Sequence, residues 1–163
     1  MTALLHAAFF ISGFTSLAFE VLWERELRLV FGVSTHSVAI VTSAFMGGLA
    51  VGYAIGRHPA LARRPALRVY AVAEAFVAVY ALLFPLWVAA ISKVHVATGG
   101  SLVVRAVLAF LILFPPTIAM GITLPLVSRA LAASSSAGRA AAGLFAANTT
   151  GGVIGTLVTS WYL

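Results

Sequence analysis

The chain has 163 residues, of which 62% are hydrophobic and 9% are charged, and its mean hydropathy is +1.08. Soluble domains carry about 25% charged residues, so we expect an all-α integral membrane protein and exclude a water-soluble globular domain. The formal charge of +6 suits loops beside anionic lipid headgroups. Nucleic-acid binding is disfavoured because the ten Lys and Arg residues are scattered and form no long basic run. The chain has no cysteine, which excludes disulfides, thiolate metal sites and cysteine nucleophiles.

Five hydrophobic segments each approach the roughly 20 residues that cross a bilayer core. They predict spans at about 3–30, 37–56, 67–91, 102–128 and 140–162. The first segment lacks the basic flank of a signal peptide, so we interpret it as a retained span. We therefore expect residues 1–163 to form a single transmembrane domain, a five-span helical bundle in the cell (inner or plasma) membrane.

The distribution of basic residues predicts the orientation of the bundle. Four arginines lie in the connection 57–68 and two in the connection 129–139, whereas the connections 31–37 and 92–101 together hold one lysine, Lys93. The positive-inside rule places the two arginine-rich connections and the N-terminus in the cytoplasm. The C-terminus is then expected outside.

Three of the four acidic residues lie in the stretch "AFEVLWERELR" at 18–28. Glu24 and Arg28 have the i,i+4 spacing and the order that favour a helical ion pair, so a self-paired helix end anchored by Trp23 explains much of this cluster. Glu20 lies one turn deeper. A carboxylate at that depth is costly unless it is paired, protonated or facing a polar cavity.

Glu74, in "LRVYAVAEAFVAVYALLF", is the second acidic residue, after Glu20, that lies well inside a predicted span rather than near its end. Tyr70, one turn earlier, and Arg68 are candidate local partners. Pairing within the bundle and a functional role both remain open, because ionisable residues inside spans mark functional sites by default.

The second span contains a small-residue stripe. Ala44, Gly48, Gly52 and Gly56 recur every four residues, so they share one helix face and let a neighbouring helix approach closely. We interpret the three glycines as helix-packing residues. Their spacing matches neither the dinucleotide fingerprint nor the phosphate-binding loop.

The fifth span contains "AANTTGGVIG" at 146–155. Gly151 and Gly155 form a GxxxG pair and are interpreted as a second packing face. Asn148 lies at membrane depth, where an unpaired amide is expensive, so interhelical hydrogen bonding is its expected use.

The fourth span contains three prolines, in "FPPTIAMGITLPLVSR" at 114–129. Pro115, Pro116 and Pro125 remove backbone donors, so we expect a kinked or interrupted helix. The freed carbonyls should find partners in Thr117, in Thr123 or on a neighbouring helix. The four histidines lie in separate segments without metal-ligand spacing, and neither a metal, another cofactor nor a catalytic residue is predicted.

Five stretches together resemble a known family. They are "SGFTSLAFEVLWERELRLVFG" (12–32), "AFMGGLAVGYAIGR" (44–57), "YAVAEAFVAVYALLFP" (70–85), "LFPPTIAMGITLPLVSRAL" (113–131) and "GLFAANTTGGVIGTL" (143–157). In this order they are similar to the membrane-embedded spermidine synthase-like proteins, which are fused major-facilitator-like/spermidine synthase proteins. Six residues fit the family's motif positions: Glu20, Trp23, Arg25, Glu74, Asn148 and Gly151.

The resemblance implies more protein than this sequence contains. The family continues into further spans and a cytoplasmic aminopropyltransferase-like domain of Rossmann type, whereas this sequence stops at "TSWYL". We therefore expect either a truncated product or a stand-alone membrane half. Without that domain, an enzyme that acts on its own is not expected.

Two function classes follow. In the first, the chain binds or passes a small cation such as a polyamine, or anchors a partner synthase. Glu20 and Glu74 would supply charge, Trp23 or Tyr70 a cation–π face, and Asn148 a polar contact. In the second, the chain is a structural or assembly subunit of a larger membrane complex and has no substrate of its own. The expected partners are the lipid bilayer and other membrane subunits or a synthase-type domain.

Overall fold

The structure is a computed structural model that describes residues 2–131 and 137–162. The described residues form helices and connections and contain no strand. The helices are α1 (Thr2–Phe31), α2 (Thr35–Gly56), α3 (Pro59–Ala62), α4 (Ala66–Ala97), α5 (Leu102–Leu131) and α6 (Ala137–Tyr162). Five of them are long and apolar enough to cross a membrane. The predicted all-α bundle with five spans is therefore confirmed.

Local sequence explains where the helices begin and end. Ser34 caps α2, because its hydroxyl accepts a hydrogen bond from the Ser37 backbone at 3.1 Å. Gly32 adopts a positive φ of 82° between α1 and α2, a conformation that suits glycine. The short helix α3 was not predicted. It forms where His58 caps the chain and Pro59 occupies the first turn.

The helices alternate in direction, so that α1, α4 and α6 run one way and α2 and α5 run the other. Both arginine-rich connections consequently lie at the same end of the bundle, which we call the basic end. A hydrogen bond of 3.0 Å from the Arg129 guanidinium to the Leu61 carbonyl joins them directly. This arrangement agrees with the topology on which the positive-inside argument depends, and the cytoplasmic N-terminus stays a prediction.

Helices α2 and α5 pack as a parallel pair through the glycine stripe of α2. Gly48, Gly52 and Gly56 are all buried, and an added Cβ at any of them would overlap the facing helix. The facing groups are the Thr117 side chain, the Ile118 carbonyl and the Pro125 ring, respectively. The backbones approach closely because these positions carry no side chain.

Helices α1 and α6 form a second parallel pair of the same kind. An added Cβ at Gly151 or Gly155 would overlap the carbonyl of Phe10 or Phe14 in α1. The reverse contact comes from Gly13 of α1, which lies against the Asn148 carbonyl. Gly13 was not singled out in the sequence, because a lone glycine in a span does not reveal which helix it meets.

Helix α4 packs against α5 and α1 and closes an apolar core on the side away from the basic end. Trp23 lies in this core with 2% of its surface exposed. Its ring stacks on Phe19 at 5.4 Å and on Phe84 at 4.9 Å between centroids. Leu27 and Phe31 continue the core along α1.

The prolines do not interrupt α5, which runs continuously from Leu102 to Leu131. Pro116 has no N–H to donate to the Ile112 carbonyl one turn earlier. The Tyr80 hydroxyl of α4 donates to that carbonyl instead, at 2.8 Å. The expected interruption was therefore wrong, whereas the kink stays a prediction. The expected donor from a neighbouring helix is confirmed for the Ile112 carbonyl.

Candidate functional site

A cavity of about 470 Å³ lies between the two parallel pairs, bordered by α1, α2, α5 and α6. We call it the central cavity. Its polar lining residues are Ser12, Ser16, Tyr53, Thr123, Asn148 and Thr149. Three glycines, Gly13, Gly121 and Gly152, also line it, and they leave space because they have no side chains.

Glu74 is joined to the wall of this cavity by a hydrogen bond. The Ser12 hydroxyl of α1 donates to Glu74 Oε1 of α4 at 2.6 Å. Ser12 is 7% exposed and Glu74 is half-buried. Glu74 lies about 12 Å from the start of α4, at a rise of about 1.5 Å per residue. The sequence offered Tyr70 and Arg68 as partners for this carboxylate and did not identify Ser12.

Tyr70 belongs to the same cluster. Its ring stacks on Phe9 with centroids 5.5 Å apart, and its hydroxyl lies close to Ser12 and Glu74. Phe9 is 2% exposed and also lines the central cavity. The carboxylate, the hydroxyls and the aromatic faces therefore come from α1 and α4 together.

Glu20 shares one face of α1 with Ser12 and Ser16, because the three residues follow at intervals of four. It is half-buried. Eight residues separate it from Ser12, which is about 12 Å along the helix axis. Glu20 and Glu74 are consequently too far apart to share a hydrogen bond, and no described arginine or lysine forms a salt bridge with either.

The remaining candidates have different surroundings. Trp23 is enclosed by aromatic rings in the core, where a cation has no access to its faces. Asn148 lines the central cavity, and its backbone carbonyl, not its side-chain amide, is the group that Gly13 approaches. Glu24 and Arg28 form an ion pair at 2.5 Å, as the i,i+4 spacing predicted.

Sequence reasoning missed several residues of the cavity wall. Ser12 and Ser16 carried a usable signal, since they extend the face of Glu20 toward the N-terminus in steps of four. Tyr53 carried no such signal, because a tyrosine near a span end is common at membrane interfaces.

Comparisons of the chain with protein-family models, with curated proteins and with solved structures found no match. The five long apolar helices still identify a polytopic membrane protein by length and composition.

Proposed function

We propose that this polytopic membrane protein binds a small organic cation, such as a polyamine, at the central cavity. The observation that carries the proposal is the position of Glu74. It is a carboxylate inside an apolar helix, and Ser12 of the cavity wall donates to it at 2.6 Å.

The charge of this region supports a cationic ligand. A carboxylate within a span needs compensation from a partner or from a bound charge. No described arginine or lysine forms a salt bridge with Glu74 or Glu20. An ammonium group hydrogen-bonded to Glu74 would supply that compensation, because ionised pairs form the strongest hydrogen bonds.

The cavity wall offers the other contacts that an amine needs. The hydroxyls of Ser12, Ser16 and Thr123 and the amide of Asn148 provide oxygen acceptors for N–H groups. The volume of about 470 Å³ lies in the range of about 300–1,000 Å³ that is typical of small-molecule sites.

The spacing of the acids favours a linear ligand with more than one positive charge. Glu20 lies about 12 Å beyond Ser12 along the axis of α1, with Ser16 between them. A chain of amines and methylenes laid along this face would place separated ammonium groups near the two carboxylates. The resemblance of the motifs around Glu20, Glu74 and Asn148 to the spermidine synthase-like family independently suggests a polyamine.

Spermidine binding to the purified protein, measured by isothermal titration calorimetry, tests the proposal. A charged hydrogen bond contributes about 1.5–3 kcal/mol, so Glu74→Gln should weaken binding by about tenfold or more. Ser12→Ala should weaken it less, because the carboxylate remains. Glu26→Gln is the matched control, since Glu26 is exposed near the end of α1, about 21 Å from Ser12 along the helix axis.

Thermal unfolding of each variant separates lost binding from lost folding. If a folded Glu20→Gln/Glu74→Gln double variant binds spermidine as the parent does, the proposal is wrong. A folded parent protein that binds no polyamine and co-purifies with other membrane subunits would instead favour the assembly-subunit alternative.

A further inference from the structure

A second cavity, of about 700 Å³, lies at the basic end between α2, α5 and α6. We call it the basic cavity. Its polar lining residues are Arg57, Arg129, Ser128 and Tyr53, and its apolar lining includes Leu124, Pro125 and Phe145. It therefore combines two guanidinium groups with an apolar wall.

Arg129 is incompletely paired. One terminal nitrogen, Nη2, donates to the Leu61 carbonyl at 3.0 Å. The other, Nη1, is buried and has no hydrogen-bond partner among the described residues. A buried charged donor without an acceptor is costly. Arg129 lines the basic cavity, so a turn of its side chain toward the cavity would let this nitrogen donate to an oxygen ligand.

Arg57 adds a second positive charge. It follows the end of α2, and its guanidinium lies 5.7 Å from the centre of the Tyr53 ring. None of the residues that line the basic cavity is acidic, since the four acids of the chain lie at 20–26 and 74. The lining thus includes two arginines and no carboxylate to balance their charge.

The apolar wall distinguishes an amphiphilic ligand from a small polar anion. Phe145 is 55% exposed and continues the wall from the arginines toward the middle of α6. An inorganic anion would leave this wall unused, whereas a phospholipid would place its phosphate on the arginines and an acyl chain along the wall.

We propose that the basic cavity binds the headgroup of an anionic phospholipid. Arg57 and Arg129 lie at the ends of their helices, which is the depth of the headgroups when the five long helices span the bilayer. Basic pockets between spans on the cytoplasmic side bind anionic headgroups, and the positive-inside rule predicts that side for the basic end. The lipid proposal does not rest on cation binding in the central cavity, although Tyr53 and Leu124 line both cavities.

Native mass spectrometry of the delipidated full chain tests the proposal with dioleoyl phosphatidylglycerol and dioleoyl phosphatidylcholine. Each arginine near an anionic headgroup strengthens binding about fivefold. Arg57→Gln should therefore reduce phosphatidylglycerol binding about fivefold, and Arg57→Gln/Arg129→Gln about 25-fold. Arg63→Gln/Arg64→Gln removes the same charge at the same end outside the cavity and should have little effect.

Two further measurements keep the result unambiguous. Thermal unfolding establishes that each variant is folded, and Arg129→Lys should retain much of the binding because it keeps the charge. The proposal is wrong if phosphatidylcholine binds as tightly as phosphatidylglycerol, or if the Arg63/Arg64 control loses as much binding as the cavity variant. Displacement of phosphatidylglycerol by inorganic phosphate would reassign the cavity to a free anion and also overturn it.

Discussion

The hydrogen bond between the Tyr80 hydroxyl and the Ile112 carbonyl allows a direct test of how α4 stabilises the proline-containing helix α5. Tyr80→Phe removes the hydroxyl and leaves the ring in place. The Ile112 carbonyl then has no donor within its own helix, because Pro116, four residues later, has no N–H. The consequence should be a loss of stability that depends on the proline.

The magnitude follows from the geometry. The bond is 2.8 Å long and half-buried between two helices. Hydrogen bonds between membrane helices contribute about 0.6 kcal/mol on average and up to about 1.7 kcal/mol. Because no backbone donor replaces the hydroxyl, we expect Tyr80→Phe to lower the free energy of unfolding by about 1 kcal/mol.

A double-mutant cycle with Pro116→Ala isolates this effect. Alanine at 116 restores an N–H that reaches the Ile112 carbonyl. In that background Tyr80→Phe should lower the free energy of unfolding by less than about 0.3 kcal/mol, which is about the error within which independent substitutions add. The free energies come from unfolding in mixed micelles at increasing SDS. Tyr53→Phe is the matched control, since Tyr53 is 44% exposed and should change stability by less than about 0.5 kcal/mol. An equal loss from Tyr80→Phe in both proline backgrounds would refute the reasoning.

Two further predictions concern packing and surface charge. Gly52→Ala should destabilise the protein by about 1–3 kcal/mol, because the new Cβ overlaps the Ile118 carbonyl. Gly47→Ala should be neutral or stabilising, because its Cβ meets the Phe114 ring at an ordinary contact distance of 3.4 Å. SDS unfolding of both variants measures the difference, and equal losses of stability would contradict the packing argument. Glu24→Gln should cost only about 0.3–0.5 kcal/mol and less at high salt, because the Glu24–Arg28 pair is partly exposed; a larger, salt-independent loss would contradict that account.

Local features of the chain could be predicted from the sequence without the fold. The Glu24–Arg28 pair depends on residues one turn apart, and the glycine stripe of α2 depends on one helix face. The helix ends at Ser34 and Gly32 follow from capping chemistry within a few residues. Each of these features is decided by residues that the same helix or turn brings together.

The residues of the candidate site could be predicted only in part from the sequence. Glu20 and Glu74 stood out because carboxylates are rare inside spans, and Asn148 because it is polar at membrane depth. The Ser12 partner of Glu74 is 62 residues away in the chain, so no local spacing could identify it. Trp23 looked like a ligand-facing aromatic residue beside Glu20, but the fold places it among Phe19, Tyr80 and Phe84.

The sequence by itself determined that this protein is a bundle of membrane-length helices, because a backbone in lipid must satisfy its own hydrogen bonds and long apolar segments do so as helices. Tertiary structure alone decided which helices pair, that Ser12 meets Glu74 and that Tyr80 replaces the donor missing at Pro116. The physical reason is that these contacts depend on the order and rotation of separate helices. Those quantities are set by packing between helix faces, which spacing within one helix does not specify.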